Sequence, residues 1–331
     1  MKAATSKFYQ PFDPSKGEQN QSTAIDQTFH LNDRSNGHPL RVLSEADWTF
    51  WISNGYIVIK QAVPKPQTER LAQLIWEFEE KDPANPDTWY APPRALMEMK
   101  ELQHSGMVEI FNHQYLWDNR QTPKVYDAFV DIWGTEKLWV TIDRANLNLP
   151  LRPGHDFKGF MHWDYDPETK PQNVQGVLAL SDQTDENIGG FQCVPELFRT
   201  YETWKLTQPK NRDRFKPDIS GFEVAKVKLE PGDLLIFNSL LPHGIRPNTS
   251  GNKVRIAQYL SMMPAREHDE KLRQWRIESW QKRKTPEGYA FPGDPRKWEE
   301  RNYETAKLTE LGEKLLGLKK WSQEATPTSS Q

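Results

Sequence analysis

Between Leu138 and about Ser261 the chain is built of short β-forming runs separated by turns rich in Pro, Gly, Asn and Asp. A β-sandwich or jelly roll satisfies that pattern and a helical bundle does not. Within it Val224 to Leu229 alternates as a strand, Glu230-Pro231-Gly232-Asp233 is a tight turn, and Leu234 to Phe237 is an apolar run suited to a buried strand. The flanks read differently. Ser44 followed by Asp47 resembles a capping box opening a short helix that carries Trp48 and Trp51 and ends at Gly55, before a strand from Tyr56 to Ile59. Leu71, Leu74, Ile75 and Phe78 mark one face of a helix over Gln67 to Glu80, and Val125, Phe129 and Trp133 one face of another over Pro123 to Trp133. Past Pro264 the chain returns to helix around Leu272, Trp275 and Trp280, breaks at Pro286 to Pro295, and ends with a helix near Thr305 to Leu318. The expected fold is therefore mainly β with flanking helices: residues 1–40 form an arm without apolar period, 41–264 the domain, and 265–331 a C-terminal helical extension. Lys81 to Arg94, with Pro83, Pro86, Pro92 and Pro93, reads as a surface excursion, with a lid as the alternative.

Composition narrows the chemistry. Lys and Arg number 43 against 46 Asp and Glu, and neither sign forms a block, which argues against a nucleic-acid or anionic-membrane partner. The longest apolar runs fall far short of the ~20 residues that span a bilayer, and the first thirty residues are polar, so the expectation is a cytoplasmic protein. Cys193 is the one cysteine, so an internal disulfide and Cys-rich metal sites are excluded, and any metal must be held by His and carboxylates. Cys193 itself reads as a small core residue. The 13 Trp, 10 Tyr and 15 Phe supply the buried area of a core despite the low hydrophobic fraction.

The candidate metal ligands begin at Gly159-Phe160-Met161-His162-Trp163-Asp164. Two apart on an extended segment, His162 and Asp164 point to the same side, so an imidazole nitrogen and a carboxylate oxygen can reach one cation. His-x-Asp alone is a weak signal. It gains weight from His243, eighty residues on, just beyond the buried strand at Leu234 to Phe237. Two His and one carboxylate on one face hold non-haem Fe(II) and leave three positions open, enough for O₂ and a bidentate organic acid. Arg255 follows on a strand from Val254 to Ser261, where a buried guanidinium needs a carboxylate partner that a ligand can supply. Arg246 is the rival for that role and, beside Pro247, is placed in the turn. Asn146 with Asn148, and Gln175 with Val177, share strand faces; Asn146 and Gln175 are candidate cosubstrate contacts, with satisfied core polar groups as the alternative. His155 reads as a loop residue, and His268 with Glu270 as a solvated helix face.

Taken together, His162-Trp163-Asp164, Asn187-Ile188-Gly189-Gly190 leading to Val194-Pro195-Glu196, Pro231-Gly232-Asp233, Phe237, His243, Asn248, Ser250 and Arg255 resemble the phytanoyl-CoA dioxygenase family of Fe(II)/2-oxoglutarate oxygenases. Leu43 to Pro64 resembles the entrance to that family's domain, so the likeness spans about Leu43 to Met263. It implies a double-stranded β-helix, the jelly-roll or cupin-like barrel. His162, Asp164 and His243 would bind Fe(II), Arg255 would hold the distal carboxylate of 2-oxoglutarate, and O₂ would be the oxidant. The implied reaction hydroxylates a small organic molecule and releases succinate and CO₂. Two departures stand out: Ile245 where members often carry Ser, and Pro195-Glu196-Leu197-Phe198 where the family reads Pro-Gly-Ser-His. Related halogenating enzymes lack the carboxylate that Asp164 provides, so its presence favours oxygenation. A cupin-like iron dioxygenase that does not use 2-oxoglutarate, and a non-catalytic small-molecule-binding protein on the same fold, are the alternatives. Oligomeric state and substrate identity are not legible.

Overall fold

A computed structural model of the chain describes residues 29–91, 105–152, 154–286 and 293–321. Ser44 Oγ accepts from the Asp47 amide at 3.1 Å while the Asp47 carboxylate accepts from the Ser44 amide at 2.9 Å, and this capping box starts α1 (Glu45–Asn54). Gly55, at φ 72°, closes it in the left-handed region that favours glycine. Then follow β1 (Tyr56–Ile59), α2 (Lys65–Phe78), β2 (Met107–Val108), α3 (Gln114–Arg120), α4 (Pro123–Trp133), β3 (Leu138–Val140), β4 (Ala145–Asn148) and β5 (Val174–Ala179). The chain continues through β6 (Gly190–Cys193), α5 (Pro195–Trp204), β7 (Ala225–Lys226), β8 (Leu234–Asn238), β9 (His243–Arg246), β10 (Arg255–Tyr259) and β11 (Met262–Pro264). Three helices complete it: α6 (Glu270–Lys282), α7 (Trp298–Asn302) and α8 (Glu310–Leu316).

Six strands form the major sheet in the order β1-β8-β5-β10-β4-β2, and β7-β6-β9 form a smaller one; β11 and β3 pair separately. Alternation along each strand separates two faces. Val174, Leu178, Leu234, Ile236 and Ile256 point outward into a core shared with Leu71, Ile75 and Phe78 of α2 and Phe129, Ile132 and Trp133 of α4. The intervening residues Val177, Ala179, Leu235, Phe237 and Ala257 point inward and meet Phe191 and Cys193 of the smaller sheet. Helices cover one side of the major sheet and the small sheet faces the other, as a double-stranded β-helix with flanking helices requires.

Several expectations are corrected. The β region is interrupted by α5, whose Pro195 sits in the first turn where a missing amide costs nothing. Of the strand expected over Val224 to Leu229, only Ala225–Lys226 lies in the ladder. The last helix is confined to Glu310–Leu316, capped by Thr309, whose side chain accepts from the Gly312 amide. The short α3 was not anticipated. The arm is represented by residues 29–40, which lie against the helices: the Asn32 amide donates to Ile132 O, and Asn32 Oδ1 accepts from Trp51 Nε1. Residues 1–28 of that arm lie outside the described residues. So does the end of the Pro-rich excursion at 92–94; its earlier part is tied down through buried Trp89, whose indole donates to Asp82 O at 2.9 Å.

The C-terminal helices share the barrel's outer core, where Ala306, Leu315 and Leu316 are buried. Arg276 on α6 is fully buried and is held by backbone carbonyls: Nε donates to Leu316 O at 3.0 Å, and Nη2 to Val140 O at 2.6 Å and Leu315 O at 3.0 Å. One guanidinium thus ties α6, α8 and β3 together. Truncation in Arg276→Ala is expected to destabilise the protein by about 3 kcal/mol, since charged hydrogen bonds of roughly 1.5–3 kcal/mol each are lost and the carbonyls are left buried. Denaturant unfolding checks this; a loss below about 0.5 kcal/mol, the scale of an ordinary surface change, would mean the extension is only loosely attached.

Candidate metal centre

His243 opens β9, opposite Cys193 of β6. The segment carrying His162 lies along the other edge of β9: the His162 amide donates to His243 O at 2.8 Å and the His243 amide to His162 O at 3.1 Å. This approach is close enough that a Cβ on Gly244 would stand 1.7 Å from Phe160 O, so only glycine fits there. The backbone pairing places two imidazoles side by side, their rings 4.6 Å apart, although 81 positions separate them in sequence.

Ligand atoms of His162, Asp164 and His243 all lie within 4.8 Å of one another. Asp164 Oδ1 is 2.9 Å from His162 Nε2, and its Oδ2 is 3.3 Å from His243 Nε2. The remote ring nitrogens face backbone carbonyls, His162 Nδ1 at 3.1 Å from His243 O and His243 Nδ1 at 3.0 Å from Leu241 O. A carbonyl only accepts, so each Nδ1 carries a proton and Nε2 is the nitrogen turned toward the cluster, the usual support of a metal-binding histidine. Gln175, facing inward from β5, donates through Nε2 to Asp164 Oδ2. Phe191 stacks on His243 at 5.7 Å and Phe237 lies 4.5 Å from it, which walls the inner side with apolar rings.

The electrostatics match a cation site. Burial raises the Asp164 pKa, yet His243 and His162 outweigh it and hold the carboxyl well below its ordinary range. Burial pulls His162 down, but the charge and hydrogen bond of Asp164, with the His243 carbonyl, leave it raised. Asp164 and His162 thus stabilise each other's charged forms, and a divalent ion bound there would take the place of the proton on His162. His243 is 8% exposed, whereas His162 and Asp164 are 30% and 27% exposed, so the triad opens to solvent on the His162 side.

Arg255 opens β10 and faces inward, level with Asn148 of β4. It is 1% exposed; Nε donates to Gln183 Oε1 at 3.0 Å and Nη1 to Asn146 Oδ1 at 2.9 Å, while Nη2 is buried without a partner. A buried guanidinium edge with no acceptor is costly, and a carboxylate is the group that satisfies it. Between Arg255 and Gln175 the inward positions of β10 and β5 include Ala257 and Ala179, a paired row of small side chains. The donor set and the unmatched edge both fit Fe(II) with a dicarboxylate cosubstrate.

Arg246 is corrected from a turn to the last residue of β9, buried, with Nη1 and Nη2 donating to Phe191 O and Gly189 O at 2.7 and 2.6 Å. Both of its terminal nitrogens are thus engaged by backbone, while its Nε is buried without a partner. Asn146 meets Arg255 through its carbonyl, and Gln175 holds Asp164. His155 lies on an exposed loop, and His268 and Glu270 are both exposed. Cys193 is fully buried among apolar residues, which pushes its thiol up to about 12. Sequence reasoning missed Gln183, which follows β5 in a turn with no periodicity to mark its direction. Among the described residues, no helix is long and apolar enough to cross a membrane.

Comparison with known proteins agrees with this geometry. A protein of Aspergillus versicolor, Ava biosynthesis cluster protein O, is 27% identical over 244 residues, covering 66% of this chain and 77% of that protein. Among solved structures, GlcNAc Inducible Gene 2 of Candida albicans shares the fold with a TM-score of 0.59 at 13% identity, over 87% of this chain and 78% of that one. An Escherichia coli protein of unassigned role superimposes with a TM-score of 0.54 at 16% identity, over 86% and 87% of the two chains. The sequence profile of the phytanoyl-CoA dioxygenase (PhyH) family matches residues 51–257, from α1 through the middle of β10. With the His-Asp-His cluster inside that span, the chain belongs to the phytanoyl-CoA dioxygenase family of Fe(II)/2-oxoglutarate oxygenases.

Proposed function

We propose that the protein hydroxylates a small organic molecule, with His162, Asp164 and His243 holding Fe(II) and Arg255 holding the distal carboxylate of 2-oxoglutarate. The observation that carries this reading is the buried, unpartnered Nη2 of Arg255 on the inner sheet face. Buried guanidinium nitrogens without partners also occur at Arg276 and Arg296. That of Arg255, however, lies on the inner sheet face beside which the His162, Asp164 and His243 cluster is built, where an iron dioxygenase without a cosubstrate has no anion to set against it. With Fe(II), 2-oxoglutarate and O₂ bound, the centre supplies oxidative decarboxylation: one oxygen atom goes to succinate, released with CO₂, and the other to a substrate C–H bond.

The chain's own residues supply placement. The Nδ1 hydrogen bonds of both histidines fix their ring orientation, and Gln175 ties down one Asp164 oxygen so that the other is free to ligate. Phe191, Phe237 and Leu241 keep water from the inner side of His243. The open side is bordered by Phe160, 46% exposed, whose ring lies 4.9 Å from that of His162, and by Phe157 against it at 6.0 Å. These exposed rings offer an apolar wall to a substrate approaching the metal. The biosynthesis-cluster name of the Aspergillus relative is in keeping with a small-molecule substrate.

Fe(II)- and O₂-dependent formation of succinate from 2-oxoglutarate is the direct test. Arg255→Ala should raise the 2-oxoglutarate KM at least tenfold, the loss of about 1.4 kcal/mol or more expected when a charged hydrogen bond disappears. An unchanged KM would favour an enzyme that uses no cosubstrate. Gln175→Leu should weaken Fe(II) binding about 10- to 100-fold by freeing the Asp164 carboxylate, as loss of a ligand's supporting hydrogen bond does elsewhere. Competition with a chelating dye measures it, and wild-type affinity would remove Gln175 from the centre.

A further inference from the structure

Arg255 is held by two side-chain amides whose own orientation is set by the backbone. Asn146 Nδ2 donates to Ser105 O at 3.1 Å, which turns its Oδ1 toward Arg255 Nη1. Gln183 Nε2 faces Ile256 O at 3.5 Å, which turns its Oε1 toward Arg255 Nε. Both side chains are buried, and the main-chain N–H of Gln183 donates to Leu229 O at 2.8 Å, which fixes the residue's backbone. Each NH₂ meets a carbonyl that can only accept, so neither amide can flip without facing oxygen to oxygen. Nε–H and one N–H of Nη1 are therefore engaged, and Nη2 is left over.

Gln183 lies in a second relationship. A Cβ built on Gly190 would stand 3.0 Å from Arg246 Nη2 and 3.5 Å from Gln183 Oε1, so the amide and the second buried guanidinium border the same point. The Gln183 carbonyl presents its negative end in a region that holds two like charges. Arg246, whose Nη1 and Nη2 donate to Phe191 O and Gly189 O, adds positive potential beside it.

We infer that Asn146 and Gln183 are positioning residues that lock Arg255 in one orientation, so that its free edge stands at a fixed distance from the metal and selects the length of the 2-oxo acid. This rests on the proposed use of 2-oxoglutarate. A fixed guanidinium accepts a five-carbon diacid and misplaces the distal carboxylate of the six-carbon 2-oxoadipate; a guanidinium free to swing would accept both more evenly.

The test uses full-length protein loaded with Ni(II), an unreactive metal, and calorimetric binding of 2-oxoglutarate and 2-oxoadipate, with thermal unfolding of each variant alongside. Asn146→Leu and Gln183→Met keep volume and remove the acceptor; Gln183→Asn withdraws it by one methylene and serves if the apolar variants fail to fold. Each is expected to raise the 2-oxoglutarate Kd about five- to tenfold, the scale of one misdirected charged hydrogen bond, and to reduce the preference over 2-oxoadipate. Arg255→Ala should weaken 2-oxoglutarate at least as much. Folded variants with wild-type 2-oxoglutarate affinity, or with both acids weakened equally, would overturn the positioning role. If the wild type binds no 2-oxoglutarate at all, the proposed function fails; if only Arg255→Ala is impaired, that function stands and this inference falls.

Discussion

The site depends on one short piece of backbone pairing, the reciprocal hydrogen bonds between His162 and His243. Neither residue has a ligand partner of its own kind nearby in sequence. Their rings become neighbours because Gly244 lets the 159–162 segment lie against β9, and because β9 is in turn held by β6. Asp164 then follows automatically, two residues along an extended segment and on the same side as His162. Three candidate ligands placed this way are preorganised by main-chain geometry, so little side-chain entropy would be lost if an ion bound between them.

The second constraint is the division of labour between the faces of the major sheet. Its outward residues are large and aliphatic and pack on α2 and α4, with the C-terminal helices closing the same core through Leu315, Leu316 and Arg276. Its inward residues are polar at both ends of the row, with Gln175 beside Asp164 and Arg255 and Asn146 away from it, and small in between at Ala179 and Ala257. Rigid outer packing is what allows an inner face to keep an unmatched guanidinium edge, since the loss in one place is offset by burial in another.

Much of this was legible in the sequence where chemistry and periodicity act locally. The capping box at Ser44 and Asp47, the helical face of Leu71, Leu74, Ile75 and Phe78, and the buried run at Leu234 are short-range signals, and each corresponds to an observed element. The His-Asp pair was legible because extended geometry fixes residues two apart; Arg255 lies on the strand expected for it, whereas His243, expected at the end of the strand at Leu234, opens a strand of its own. What failed was order among competing local signals. Pro247 suggests a turn at Arg246, yet the residue before proline is driven toward extended conformation, which keeps Arg246 in β9. α5 was absorbed into the β region, although Leu197, Tyr201 and Trp204 fall at spacings 0, 4 and 7 behind an N-terminal proline and are its buried residues. Gln183 had no local signal, because its role arises where a turn after β5 meets the start of β10. The partners of Asn146 and Gln175 were likewise set by strand register, which a single sequence does not encode in any short window.

The central claim is that two histidines and one aspartate converge on a single divalent ion and leave adjacent positions free for a chelating 2-oxo acid. Optical titration of anaerobic Fe(II)-loaded protein with 2-oxoglutarate tests it most directly. The account predicts a visible metal-to-ligand charge-transfer band that saturates at one 2-oxoglutarate per iron and is abolished in His243→Ala. A solution that stays colourless on saturation with 2-oxoglutarate, or a band that survives the loss of His243 undiminished, would contradict it.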